Sequence, residues 1–393
     1  MKTNKLEANI LIAVNALRKT IELFAGPFLT TYFIKTSAES ILDVSLYNIM
    51  CYVILAISFY FIGFIVKSKF RIGSLRAGVI ANFIYILSII ILRERVLDYL
   101  WLLSILYGIS TALYYLPYNL FSSSKVKNED RTRYEVVKET VLAVINIVLP
   151  IVLGSIISVT NYIQTAVIIL VISLIQVILS FFITPIEESK ETFRIRNIFS
   201  AIKKDKNVRT VMIVEYLIGV CISYSALITI TTILVYNAFS SDLNLGIVTS
   251  IAAILQLVVL HLYGKYYENK DNSKVLIISS LIPIFCLAMF FIFKNNLTVV
   301  MYNLGYTIFV KLIDVIRVVK LYDVSNSSKY VDKTNLCEFW VSREICLNLG
   351  RITGFVLLFI AGILNTSIAL NVVMIVLSLT IFVSGMVLKT VKA

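Results

Sequence analysis

Charge is what this chain has least of. Asp, Glu, Lys and Arg make up 15% of its 393 residues, where soluble domains carry about 25%. A single histidine, His261, gives no material for a His-built metal or catalytic centre. The five cysteines, Cys51, Cys221, Cys286, Cys337 and Cys346, lie in or beside apolar runs with no CxxC spacing. That pattern excludes a disulfide framework. No GxxxxGK[ST] stretch occurs, so the chain itself is not built to use ATP. No cofactor is expected.

Apolar surface stands in place of charge. At 59% apolar, against roughly 45–50% in soluble domains, the chain has more than one water-soluble core can hide, so lipid must be the solvent for much of it. A bilayer-spanning helix takes about 20 mostly apolar residues, and a dozen such stretches fit. Spans 1 to 6 are 8–34, 44–66, 72–92, 97–121, 137–157 and 162–184; spans 7 to 12 are 208–236, 244–264, 274–293, 297–322, 336–362 and 366–388. The fold class expected is an all-α membrane protein of about twelve spans in two related six-helix halves, 1–186 and 208–393. The polar segment 187–207 joins them and holds a short surface helix at 195–202. No small-residue cleavage signal follows the first apolar run, so the first helix is expected to be retained.

Lys and Arg resist translocation and gather in cytoplasmic loops. One set of loops carries nearly all of them, including Lys67, Arg71, Arg76, Lys203, Lys204, Lys265 and Lys389. The opposite set holds only Lys35, Arg93, Arg95 and Lys294. Both termini are then cytoplasmic, in a multi-pass protein of a cell membrane, and the compact loops and Ile/Lys/Asn/Tyr-rich composition suit a bacterial source. The same asymmetry accounts for the net charge of +13. No basic strip is interleaved with exposed aromatics, so nucleic acid is not an expected partner.

The two halves echo each other. Tyr118–Lys125 reads YNLFSSSK and Tyr322–Lys329 reads YDVSNSSK; downstream, Lys138–Glu139 falls opposite Arg343–Glu344. The offset is 204 residues for the first match and 205 for the second, so both belong to one repeat. Parallel six-helix repeats are an arrangement known among secondary transporters. The loop Gly63–Arg76, GFIVKSKFRIGSLR, supplies a glycine followed by Arg71 and Arg76, and Pro150–Ser155 reads PIVLGS.

In these features the chain resembles the major facilitator superfamily of secondary transporters, along its whole length as topology and locally in the two motifs. It departs from the family pattern at Lys67, which stands where an aspartate is usual in the loop, in the lack of glycines before Pro150, and in its total of 14 glycines. The resemblance implies alternating access of a central site to the two sides of the membrane.

A charge near the bilayer centre costs at least roughly 2.5–3.5 kcal/mol on insertion scales, so each one calls for a partner, water or a task. Span 1 carries Arg18, Lys19 and Glu22, and Glu22 can reach either cation on one helical face. A carboxylate so placed changes its proton affinity when a cation leaves or water is lost, which suits proton coupling; the alternative is a static ion pair. Antiporters of the superfamily often have an acid in the first helix, and Glu22 matches it. Span 10 carries Lys311, Asp314, Arg317, Lys320 and Asp323 as one slowly drifting stripe. Lys311 and Asp314 are expected to line a cavity, Lys320 and Asp323 to be structural. In span 11, Glu344 and Arg351 share a face, and Gly350 and Gly354 form a small-xxx-small step for close packing. Glu215 of span 7 is expected to be a structural partner.

The proton-coupling candidates are therefore Glu22, Asp314 and Glu344. The substrate-cavity candidates are Arg18, Lys19, Lys311, Arg317 and Arg351, with Tyr114, Tyr115 and Asn119 of span 4, whose tyrosines fit packing equally well. Deep cations outnumber deep acids, which favours an anionic or zwitterionic cargo. Gly26–Pro27 breaks the hydrogen-bond ladder of span 1 as a hinge or a kink. The function expected is a monomeric secondary transporter of a small solute, proton-coupled, with efflux favoured by the acid in span 1. The alternatives are a lipid flippase or a membrane-embedded lipid-modifying enzyme, and for the enzyme no cluster of reactive groups is found.

Overall fold

The computed structural model describes residues 5–37, 41–68, 70–125, 128–185, 192–267, 272–331 and 335–391. Among them there are helices and turns and no strand. The expected linker lies partly outside this set, at residues 187–191; its short helix is present as Arg196–Lys204.

Span 1 is a rod in three parts: α1 (Lys5–Leu23), a π-helical turn at Phe24–Phe28 and α2 (Leu29–Thr36). Pro27 has no N–H to donate inside the rod, and the widened turn absorbs the missing bond. Next come α3 (Ile41–Ser68), α4 (Arg71–Leu92), a 3₁₀ turn, α5 (Leu100–Lys125), α6 (Asn128–Val159) and α7 (Tyr162–Ser180). After the linker helix α8 (Arg196–Lys204) follow α9 (Lys206–Cys221), α10 (Ala226–Phe239), α11 (Asp242–Tyr267) and α12 (Ser273–Phe293). The chain closes with α13 (Asn296–Ser327), α14 (Leu336–Leu364) and α15 (Ser367–Lys389).

Ten stretches among the described residues are long and apolar enough to cross a membrane, against twelve spans read from sequence. The difference has two sources. Arg71–Asn119 counts as one stretch, yet it is folded back on itself: Gly78 lies against the backbone of Leu113 and Tyr114, and the Ser74 hydroxyl donates to the Leu113 carbonyl at 3.3 Å. The charge-bearing, proline-interrupted first rod is not among the ten.

Tight helical hairpins follow from a repeated two-residue connection. Ser240, Lys294 and Asn365 each end a helix in the left-handed region, with φ of 48°, 46° and 46°. Asn295 and Thr366 then cap the next helix, accepting from the N–H of Thr298 and Ala369. Two residues leave little room for basic side chains at this end of the bundle. The opposite end, here the terminal end, holds Glu7 with Thr184, and the Val391 carbonyl that accepts from Lys320 at 2.8 Å.

Two long seams join residues before the linker to residues after it. In α3 against α14, Leu42 meets Gly362 and Gly63 meets Val341. In α6 against α11, Gly154 lies on the Asp242 carbonyl and Gly246 on that of Pro150. These are spans 2 with 11 and 5 with 8, so a shift of six spans exchanges one seam for the other. The glycine-proline motif of span 5 thus sits at a seam, where a side chain on Gly154 or Gly246 would strike backbone. The outward faces are apolar, as in Val171, Ile175 and Ile178 of α7 and Val372, Val376 and Val383 of α15, all exposed. Such a belt matches hydrocarbon rather than water.

Candidate functional site

The site grows from a break in span 7. Sequence predicts one helix over 208–236; instead α9 stops at Cys221 and α10 starts at Ala226. The polar triplet Ser223–Tyr224–Ser225 is the visible cause, since these residues favour turns over a helix interior. Tyr224 takes φ +49°, a left-handed conformation that costs a non-glycine residue roughly 1–2 kcal/mol. Freed carbonyls in a membrane must find donors, and four at the break find them on other helices. Tyr306 donates to Cys221 O at 2.8 Å and to Ile222 O at 3.3 Å. Arg351 Nε donates to Ser223 O at 2.8 Å, and Tyr52 to Tyr224 O at 3.0 Å. Spans 2, 10 and 11 therefore fix the break from three sides.

Tyr224 then reaches α1. Its hydroxyl accepts from Lys19 Nζ at 3.0 Å and lies 3.5 Å from Glu22 Oε2 as donor. Glu22 Oε1 accepts from Arg18 Nε at 3.0 Å and from the Tyr115 hydroxyl at 2.6 Å. Arg18 also donates to Thr111 at 2.9 Å, and its guanidinium lies 5.4 Å from the centre of the Tyr114 ring and 5.8 Å from that of Tyr115. Arg18 is 1% exposed and Glu22 8%, so the partners of this carboxylate are protein groups rather than bulk water. On the other side of the break, Arg351 sits 5.1 Å from the Tyr52 ring and 5.5 Å from that of Tyr224, with Asn348 Oδ1 accepting from it at 2.8 Å.

Of the residues predicted from sequence, Arg18, Lys19, Glu22, Tyr114, Tyr115 and Arg351 come together here. Tyr114 is wholly buried and stacks on Tyr118, so its contribution is a ring beneath Arg18. Asn119, one turn on, is exposed. The remaining candidates belong to a second network. Glu215, fully buried, accepts from Arg317 at 2.6 Å and from Arg343 at 2.7 Å; Arg317 also holds Asp314 at 2.6 Å, Asp314 holds Lys311 at 3.1 Å, and Arg343 pairs with Glu344. Arg317 and Glu344 are thus tied into salt bridges of spans 7, 10 and 11. The Lys311 side chain keeps 42% of its surface open and that of Asp314 20%. The charges of spans 1, 7, 10 and 11 thus form two clusters rather than one.

Sequence reading missed Tyr52, Thr111, Ser223, Tyr224 and Asn348. A Ser-Tyr-Ser triplet inside an apolar span was the available signal. It also missed the charge partner of Lys67, the residue that departs from the family loop. Lys67 Nζ lies 2.6 Å from Glu338 Oε1, both buried, and the Arg194 N–H donates to the same oxygen at 2.8 Å. At the other end Lys35 meets Asp242 at 2.5 Å, and Thr31 donates to Asp242 at 3.0 Å.

Comparison with known proteins agrees with this architecture. A family model described as Major Facilitator Superfamily matches residues 10–315. The uncharacterized protein YqgE of Bacillus subtilis (strain 168) is 24% identical over 348 residues, 88% of this chain and 80% of its own length. Among solved structures, a bacterial homologue of the iron transporter ferroportin in an inward-facing state superposes with a TM-score of 0.69 at 10% identity, covering 97% of each chain. The nucleoside transporter NupG (D323A mutant) gives 0.69 at 13% identity, over 98% of this chain and 100% of that one. At such identities the likeness is one of fold.

Proposed function

The chain belongs to the major facilitator superfamily, and from that premise we propose that this secondary transporter moves a small solute out of the cell, coupled to protons through Glu22. In this reading residues 1–186 and 208–393 are the two halves that rock about the Tyr224 break, with 187–207 as the linker. Both termini lie in the cytoplasm of a bacterial cell, and the chain works as a monomer.

One observation carries the coupling. Glu22 is held by Arg18 and Tyr115 from before the linker and by Tyr224 from after it. Any motion that parts the halves removes Tyr224 from the carboxylate and changes its exposure to water. Desolvation disfavours a charged carboxylate, while a nearby cation and hydrogen-bond donors favour it. Proton binding at Glu22 is thereby tied to the position of the halves, which is the requirement for an ion-coupled carrier. Asp314 and Glu344 lack this property, because their partners Lys311, Arg317 and Arg343 all come from α13 and α14. Spans 10 and 11 move together in this scheme.

The test is proton movement in proteoliposomes with an entrapped pH dye, driven by a panel of solutes. Wild-type protein should give solute-dependent proton flux, and Glu22→Gln should lose it while still binding the same solute in a thermal-shift assay. Undiminished proton flux in the variant removes Glu22 from the coupling role.

A further inference from the structure

Two cations flank Tyr224 without a carboxylate of their own. Lys19, from α1, lies 5.5 Å from the centre of the Tyr224 ring, and Arg351, from α14, lies 5.5 Å from the same centre. They are therefore no more than twice that distance apart, one from each half of the chain. The hydrogen bonds of Arg351 go to neutral acceptors, Ser223 O, Ser223 Oγ and Asn348 Oδ1. Lys19 donates to the neutral Tyr224 hydroxyl. Among the described residues neither forms a salt bridge. Glu22 and Glu139 both attract Lys19 through space, but Glu22 is bonded to Arg18, and Glu139 is exposed and paired with Lys138 at 3.5 Å. The cluster of Arg18, Lys19, Arg351 and Glu22 thus carries two positive charges in excess.

Arg18 adds a donor without an acceptor: its Nη1 is buried with no hydrogen-bond partner. Tyr224 keeps 46% of its surface open and Lys19 is part-exposed, while Arg351 is buried against the Tyr224 ring, so an anion reaches Lys19 directly and Arg351 once the Tyr224 ring moves aside. Uncompensated cations inside a membrane protein are costly unless something of opposite charge completes the site.

We propose that the cargo is a small organic anion whose charged group binds between Lys19 and Arg351 at the Tyr224 break. This rests on the carrier reading above. The anion displaces the Tyr224 hydroxyl from Lys19, satisfies both cations, and draws α1 and α14 together. With the site empty, like charges on the two halves resist that approach. The anion is thus both the ligand and the condition for closing.

Two experiments test it. Purified protein in detergent is screened by thermal shift at fixed ionic strength against mono- and dicarboxylates, sugar phosphates and nucleotides, with tetraphenylphosphonium, ethidium and neutral sugars alongside. An anion should raise the apparent melting temperature, by mass action on the folded state. The shift should vanish in Lys19→Gln and in Arg351→Gln and persist in Lys311→Gln. Stabilisation by cations or neutral sugars alone overturns the proposal, as does an anion shift indifferent to both substitutions.

The second needs no ligand. A Tyr224→Cys variant, with Cys337 and Cys346 replaced by serine, is reacted with sulfonate-bearing and trimethylammonium-bearing methanethiosulfonates. The anionic reagent should be favoured relative to a free thiol, and adding Lys19→Gln should lower that preference about ten-fold, from one unit charge at roughly 5 Å in water. A preference for the cationic reagent, or none, overturns the anion site and leaves proton coupling at Glu22 standing. Proton flux undiminished by Glu22→Gln does the reverse.

Discussion

Removing Lys67 should open the terminal end of the bundle. Its ammonium lies 2.6 Å from Glu338 Oε1, with the lysine side chain 6% exposed and the glutamate 1%. Glu338 Oε1 also accepts from the Arg194 N–H, while Oε2 is buried with no partner. In Lys67→Met the carboxylate would keep one neutral donor for a full charge. Stranding one ion of a buried pair costs about 3–5 kcal/mol, and that cost falls on the closed arrangement, where α3 and α14 are packed. Once the end opens, water solvates Glu338. The closed-to-open ratio should therefore fall by about two to three and a half powers of ten. Cys337, part-buried beside Glu338, is a built-in reporter. In a Cys346→Ser background, its labelling by a membrane-impermeant maleimide should speed up sharply in Lys67→Met. The apolar double variant Lys67→Met/Glu338→Leu should return toward the wild-type rate, because replacing a buried pair by hydrophobic groups is often neutral or stabilising. Unchanged labelling in Lys67→Met, or faster labelling in the double variant than in either single one, would refute the reasoning.

Two further outcomes concern glycines. A methyl group on Gly350 would lie 2.0 Å from the Tyr216 carbonyl oxygen and 2.9 Å from the Val220 nitrogen, both backbone; Gly350→Ala should therefore force α9 and α14 apart and lower the melting temperature by the equivalent of about 1–3 kcal/mol or more, an expectation that an unchanged melting temperature sinks. A methyl group on Gly26, in the π-turn of span 1, would meet nothing within 4 Å beyond its own turn. Gly26→Ala should therefore leave stability intact and reduce transport turnover only if that turn flexes; a large loss of stability would show that the space is not free.

Much of the fold is legible in the sequence. Hydropathy gave the spans, and the two-residue connections show why: an apolar run ends where Lys294–Asn295 or Asn365–Thr366 supplies a left-handed residue and then an N-cap. The span 1 cluster was legible because Arg18 and Glu22 are one turn apart on one helix, where spacing alone fixes contact. The destination of Arg351 was not, because its partner Ser223 is 128 residues away and no local pattern encodes that meeting. Hydropathy averaged over the Ser-Tyr-Ser triplet and returned a continuous span 7, since three polar residues do not outweigh their apolar flanks. The charges of span 10 could be read as a stripe, but which of them find partners off their own helix depended on Glu215, which takes Arg317, and on the Leu388 and Val391 carbonyls, which take Lys320, groups whose neighbours sequence does not name.

The two kinds of contact in this bundle suit different tasks. Inside the half after the linker, α9 and α14 are joined by backbone lying on glycine: Gly219 against Leu347, Gly350 against Tyr216, Gly354 against Val220. Such a seam gains only close dispersion contact, and it loses that steeply with separation, so it resists parting wherever it occurs, including between the halves at Gly154 and Gly246. At the ends of the bundle the halves meet through ions, Lys67 with Glu338 and Lys35 with Asp242. An ion pair that passes from protein to water trades mutual attraction for hydration at little net cost, yet a wrong partner in the closed state is heavily penalised. Ions at the ends therefore specify how the halves close without locking them shut. The break at Tyr224 lies between these ends and is held by hydrogen bonds from three spans, a geometry in which rocking the halves changes what Tyr224, Glu22, Lys19 and Arg351 touch before it disturbs anything the glycine seam holds.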